Sequence, residues 1–163
     1  MDATSPGSSR TSVLFVCLGN ICRSPLAEGV FRHLVEEAGR TDDFEIDSAG
    51  TGAWHVGEPP DGRSSLVASQ HGIDLDSFAR QVVAEDFDRF DYVIGMDHDN
   101  MRTLVRMADA GGSEATVSLL RAYEAGADGE EVPDPYYGGS SGFENVYKMV
   151  KRSCEGLLEH IGP

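Results

Sequence analysis

An unbroken apolar run, Val13-Leu-Phe-Val16, meets Cys17, and Arg23 and Ser24 follow just before Pro25 and an amphipathic helical pattern. The run from Val13 to Leu18 fits a central parallel strand covered on both faces. Pro25 suits the first turn of a helix, with Ser24 as its N-cap. Between them the chain must turn sharply from a buried strand into a helix start. Such a start presents unpaired N–H groups and the positive end of the helix dipole, which makes it an anion site. A thiol placed there is favoured as thiolate, its reactive form. Cys17 to Ser24 is therefore expected to be an anion cradle with a nucleophile at its floor.

The remaining chain alternates strand and helix patterns. Leu26, Ala27, Val30, Phe31, Leu34, Val35 and Ala38 recur at helical spacing, and Gly39 ends them. Phe44–Ser48 alternates as a second strand, followed by a glycine-rich loop with Trp54 and His55. A helix is expected from Pro59-Pro60 through Leu66, Val67 and His71, and a short helical segment from Ala84 to Phe90. Asp91–Met96 and Ala115–Leu120 fit further strands. Between them Asp97 caps a helix whose apolar face carries Met101, Leu104, Val105 and Ala108. An acidic, glycine-rich loop then delivers Pro133-Asp134-Pro135-Tyr136-Tyr137-Gly138. The closing helix, from about Ser141, has an apolar stripe of Phe143, Val146, Tyr147, Val150, Cys154, Leu157, Leu158 and Ile161. Strands alternating with helices imply right-handed βαβ units and a parallel sheet, whose ligands bind beyond the carboxyl ends of the strands. Cys17 stands at such an end.

The 163 residues are expected to form one domain from residue 12 to 163, preceded by a disordered tail, 1–11, without an apolar block. No stretch approaches the ~20 apolar residues that cross a bilayer. Three cysteines, two of them in one loop, argue for reduced thiols and a cytoplasmic protein. No second Cys/His pair stands at zinc-ligand spacing, so no metal is expected. The net charge of −15 disfavours nucleic acid and anionic membranes as partners. It also fits either a high-salt cytoplasm or an ordinary acidic protein. An anionic chain can still hold an anion, because the helix dipole and Arg23 act at short range while the global field is screened.

Cys17-Leu-Gly-Asn-Ile-Cys-Arg-Ser24-Pro25, with Asp134-Pro-Tyr-Tyr-Gly138 downstream, resembles the low-molecular-weight protein tyrosine phosphatases. The resemblance runs from about Ser12 to the last helix and takes in Ser48-Ala-Gly-Thr51, Trp54, His71-Gly-Ile73, Ala79-Arg-Gln-Val82, Met96-Asp97 and Phe143-Glu144. It implies a flavodoxin-like α/β domain: a four-stranded parallel sheet of order 2-1-3-4 with helices on both faces. It also implies an enzyme that needs no cofactor and acts on phosphotyrosine-containing proteins; a monomer is the default expectation.

The chemistry assigns parallel roles. Cys17 is the candidate nucleophile, forming a cysteinyl-phosphate intermediate. Arg23 offers a planar fork for phosphoryl oxygens, and Asp134 is the candidate general acid and then base. Asp before Pro also serves simple turn chemistry. Backbone N–H groups from Leu18 through Gly19, Asn20, Ile21 and Cys22 to Arg23 should line the cradle. Gly19 is expected where the chain bends and Asn20 in a left-handed conformation. Ser24 is expected to hydrogen-bond the Cys17 thiolate. Trp54, Tyr136 and Tyr137 would wall the pocket and stack on an aryl group. The resemblance adds that Asn20 braces the loop, supported by Ser48 and by His71, whose other reading is a surface histidine. It also implies a reversible disulfide that lets Cys22 shield Cys17 from irreversible oxidation. Asp97 and Arg63 are expected to be structural, a helix cap and a helix-surface ion, and Cys154 to be core.

Three other readings share part of this pattern. Thiol-dependent arsenate reductases need a later pair of resolving cysteines, which the segment after Arg80 lacks. Protein-arginine phosphatases resemble the chain but carry threonine where Ile21 stands, so Ile21 favours phosphotyrosine. A non-catalytic phosphotyrosine-binding module would not need Cys17, Arg23 and Asp134 together.

Overall fold

The apolar run forms β1 (Thr11–Cys17), in which Val13 to Val16 are fully buried. The other strands are β2 (Phe44–Gly50), β3 (Tyr92–Gly95) and β4 (Thr116–Leu119). The helices are α1 (Arg23–Glu37), α2 (Gly62–Gln70), α3 (Asp86–Arg89), α4 (His98–Gly111) and α5 (Ser140–Ile161). In this computed structural model, which describes residues 10–127, 129–135 and 140–162, the strands make one parallel sheet of order β2-β1-β3-β4. The order is the expected 2-1-3-4.

Alternation along β1 divides the core in two. Val13, Phe15 and Cys17 pack with the buried stripes of α1 and α5 and with Val67 and Ala68 of α2. Leu14 and Val16 pack on the opposite face with Phe87, Leu104 and Ala108 of α3 and α4. Phe31 of α1 ties the first layer together by edge contacts to Phe15 and Phe44, with centroids 5.7 and 5.4 Å away. The α5 stripe is buried from Phe143 to Leu157, as the helical spacing predicts. In register, Cys17 stands beside Gly50, Val16 beside Gly95, and Gly95 beside Leu119. The carboxyl ends of all four strands thus lie level around Cys17.

Three elements differ from the pattern-based expectation. α2 begins at Gly62, after the two prolines, because Asp61 caps it by accepting from the Arg63 N–H at 2.9 Å. α3 is a single turn. On α4, Val105 is 43% exposed and Met101 only half-buried, since the helix meets the sheet along the narrower ridge Asn100, Leu104 and Ala108. Asp97 caps α4 as expected, in a reciprocal box with Asn100.

α5 approaches the 3-10 turn Leu120–Tyr123 so closely that a Cβ on Gly156 would fall 1.8 Å from the Tyr123 carbonyl oxygen. Backbone must shift to admit it. Gly156→Ala should therefore destabilise the fold by about 2 kcal/mol or more in urea unfolding. Gly111→Ala, facing open space at the end of α4, should be neutral or stabilising by up to about 1 kcal/mol.

Candidate active site

Between β1 and α1 the carbonyls of the loop are turned outward and held there. Cys17 O accepts from the Thr51 N–H and Leu18 O from the Gly52 N–H, both at 2.9 Å. Ile21 O accepts from the Asp61 N–H at 2.7 Å, and Cys22 O from Ser64 Oγ at 3.0 Å. With these carbonyls engaged, the loop N–H groups are left for the concave side. Asn20 takes the expected left-handed conformation, φ 58°. Gly19 does not. A Cβ there would lie 2.9 Å from His55 Cδ2, so it is the approach of this movable ring, rather than a left-handed bend, that favours glycine. At Gly50 a Cβ would sit 2.8 Å from Leu18 O.

The Asn20 side chain is the hub beneath this loop. Its Oδ1 accepts from the Arg80 N–H at 3.0 Å, which fixes the amide so that Nδ2 donates to Ser24 Oγ (2.7 Å) and Ser48 Oγ (3.0 Å). With its oxygen already accepting, Ser24 has its proton for Cys17 Sγ, 3.0 Å away, or for the more distant Ala49 O at 3.4 Å. The Asn20 backbone N–H donates to the same sulfur at 3.3 Å. Cys17 Sγ thus accepts from a backbone N–H and adjoins a hydroxyl that can also donate to it, an arrangement that suits a thiolate. Ser24 lies inside the first turn of α1, fully buried, and does not cap it. Cys22 occupies that position without a side-chain bond, because the Ser24 hydroxyl is turned to the sulfur.

Arg23, 2% exposed, opens α1 beside the thiol. Its Nη1 donates to Asp97 Oδ2 at 2.7 Å and to Val132 O at 3.0 Å, and its Nη2 lies 3.7 Å from Asp134 Oδ2. Burial alone would lower the guanidinium pKa. The Cys17 charge, the hydrogen bond and charge of Asp97, and Asp134 together raise it above the ordinary arginine value. Asp97 therefore does more than cap α4: its Oδ1 accepts from Asn100 N–H while its Oδ2 orients Arg23. The Val132 N–H donates to Met96 O at 2.8 Å, so one residue ties the segment before Asp134 both to the end of β3 and to Arg23.

A cleft of about 450 Å³ collects these groups. Cys17, Leu18, Gly19, Ile21, Cys22 and Arg23 form its floor, and Asp134, Trp54 and His55 line its sides. Trp54 is 71% exposed, as expected of a wall rather than of core. Tyr136 and Tyr137, the other expected walls, lie outside the described residues. Cys22 is buried and its thiol is pushed up to about 12, by desolvation first and then by Asp61, Cys17 and Asp134. It is a neutral thiol beside Cys17, and both are free. Cys154, fully buried, has its thiol pushed up by desolvation. Among the described residues no group of three His, Cys, Asp or Glu is placed to hold a metal ion.

His71 is not part of the cradle. Its ring stacks on Tyr147 at 3.8 Å and reaches Glu144 Oε2 at 3.1 Å, while Ser24, Ser48 and Arg80 occupy the side chain of Asn20. Arg63 pairs with Asp61 and lies over the Phe143 ring. Sequence reasoning missed the part of Asp97 in orienting Arg23, the Val132 carbonyl, and His55 in the cleft wall. The cap signal at Asp97 was visible, but its second oxygen's partner lies 74 residues away.

The sequence profile described as "Low molecular weight phosphotyrosine protein phosphatase" matches residues 12–162. A low molecular weight protein-tyrosine-phosphatase of Streptomyces coelicolor is 49% identical over 151 residues, 91% of this chain and 92% of that one. The crystal structure of YfkJ from Bacillus subtilis superposes with a TM-score of 0.87 at 44% identity, covering 94% and 95% of the two chains. That of a Drosophila arginine phosphatase gives 0.88 at 37% identity, covering 93% and 98%. With a profile spanning nearly the whole sequence and a relative sharing half of its residues, the chain belongs to the low molecular weight phosphotyrosine protein phosphatase family.

Proposed function

We propose that the chain hydrolyses phosphotyrosine in proteins in two steps, through a cysteinyl-phosphate. The observation that carries the reading is that Cys17, Arg23 and Asp134 line one cleft, with the sulfur accepting from the Asn20 N–H and in hydrogen-bond contact with the Ser24 hydroxyl. The substrate's phosphoryl oxygens take the loop N–H groups and the Arg23 fork, which also holds the charge that develops in the transition state. Cys17 Sγ attacks phosphorus in line, the S–P bond forms and the ester P–O bond breaks. The protonated Asp134 gives its proton to the departing phenolic oxygen. In the second step the Asp134 carboxylate takes a proton from water, whose oxygen attacks phosphorus, and the S–P bond breaks. Ser24 then stabilises the released thiolate. All three groups come from one chain, so a monomer suffices, and the reduced thiol that the attack requires fits a cytoplasmic setting. No helix among the described residues is long and apolar enough to cross a membrane.

Ile21, 8% exposed on the cleft floor, favours an aryl phosphate over phosphoarginine by apolar contact. The likeness to a Drosophila arginine phosphatase makes that substrate the one to compare. Ile21→Thr should narrow the preference for phosphotyrosine over phosphoarginine, read as the ratio of the two kcat/KM values, and an unchanged ratio would remove Ile21 from the specificity argument. Cys22, a neutral thiol next to the nucleophile, is placed to trap an oxidised Cys17 as a disulfide. Wild type inactivated by peroxide should therefore recover with dithiothreitol, and Cys22→Ser should not.

The central test is hydrolysis of para-nitrophenyl phosphate. Cys17→Ser should abolish it, EDTA should leave it unchanged, and Asp134→Asn should lower kcat by about 10²-fold or more with little change in substrate binding. Unchanged turnover in Asp134→Asn would overturn its assignment as the acid.

A further inference from the structure

Beneath the cradle the hydrogen bonds do not stop at Ser48. Its oxygen accepts from Asn20 Nδ2, so its own proton must go elsewhere, and Glu28 Oε1 lies 2.6 Å away. Glu28 is on α1, one turn after Ser24, with only 6% of its surface exposed. Its other oxygen takes Arg32 Nη1 at 2.9 Å, and Arg32 is itself held by Ile46 O at 2.8 Å. A carboxylate is rarely buried to this degree unless both of its oxygens are engaged, as they are here by Ser48 and Arg32. Here it ends a chain that runs Glu28, Ser48, Asn20, Ser24, Cys17 Sγ, with every member buried and every contact between 2.6 and 3.0 Å.

The direction of the chain is fixed at both ends. The Arg80 N–H can only donate, which turns the Asn20 amide nitrogen toward the two serines. Glu28, with Arg32 on its other oxygen, accepts from Ser48, which takes the Ser48 proton away from Asn20. Between these anchors Ser48 is left with lone pairs for Asn20 and Asn20 with a proton for Ser24, whose own proton has Cys17 Sγ at 3.0 Å as its nearer acceptor and Ala49 O at 3.4 Å as its farther one. We propose that Glu28 is a positioning residue for the reaction, acting through Ser48 and Asn20 to keep the Ser24 hydroxyl aimed at Cys17. This rests on the reading of Cys17 as nucleophile. Without the acceptor, Ser48 is free to rotate off Asn20, and Asn20, held in a left-handed turn, loses one of the bonds that fix its amide. A simple charge effect has the opposite sign, since removing a negative group would favour the thiolate.

The test is the rate at which iodoacetamide alkylates Cys17, located by mass spectrometry and followed from about pH 6 to about pH 10. Glu28→Ala and Ser48→Ala should each slow alkylation about tenfold at the acidic end, the scale of a hydrogen bond to a charged group. Both should converge on wild type at the alkaline end. The double variant should be no slower than either single one, because both act through one chain. Glu28→Gln, whose amide oxygen can still accept from Ser48, should lie within about twofold of wild type.

Folded Glu28→Ala with wild-type alkylation would overturn the proposal, as would a double variant whose loss is the product of the single losses. If Glu28→Ala does not fold, the comparison of Glu28→Gln with Ser48→Ala decides. Equal slowing in the two would overturn the proposal, and a normal Glu28→Gln beside a slow Ser48→Ala would support it. A wild-type Cys17 no faster than Cys22 and Cys154 would instead overturn the nucleophile reading itself.

Discussion

The cradle depends on a loop whose carbonyls are pulled outward. Peptide groups in a tight turn have no preferred face on their own, and a loop around an anion must present donors and hide acceptors. Four donors from three places do this: Thr51 and Gly52 just past β2, Asp61 before α2, and Ser64 within it. None of them touches the thiol. Each is in place only because β2 pairs with β1 as far as Gly50, and because Asp61 starts α2 where it does. The anion site is thus a property of the sheet's carboxyl edge and of the α2 start together, imposed on residues 17–23 from outside.

The same division separates what could be read along the chain from what could not. The strand order, the buried stripe of α5 and the left-handed Asn20 follow from local pattern: a short apolar run, a helical spacing, a residue type that tolerates positive φ. Ser24 fits a helix cap by residue type, yet it sits inside the first turn of α1, where its hydroxyl meets Asn20 and Cys17, partners that only the tertiary fold supplies. Asp97 illustrates the converse. Its capping box is local and legible, while the bond that matters for Arg23 spans 74 residues. His71 follows the loop in no local sense, and its ring found Tyr147 of α5 instead. Gly19 carried the right residue for a reason the sequence does not show, namely the approach of His55.

Electrostatically the site sits against the grain of its protein. A chain of net charge −15 gathers Cys17, Asp97 and Asp134 around one guanidinium and strengthens that cation's hold on its proton. Peptide dipoles supply the remaining attraction without adding a titratable group, so the donors of the cradle are the same at any pH at which the fold persists. The buried Cys22, a thiol rather than a thiolate, adds no second negative charge at the floor.

Val132 carries a consequence for how the chain tolerates change in length. Its N–H is anchored to the end of β3 and its carbonyl to Arg23, so the path from the 3-10 turn to Val132 is re-registered immediately before Asp134. A change of chain length between Glu124, itself held by Arg121 and Arg152, and Val132 need not be passed on to Asp134, because the acid is two residues beyond a fixed point. The two peptide groups that flank Val132 thus hold the acid beside Arg23 and the nucleophile whatever the length of the path that leads to them.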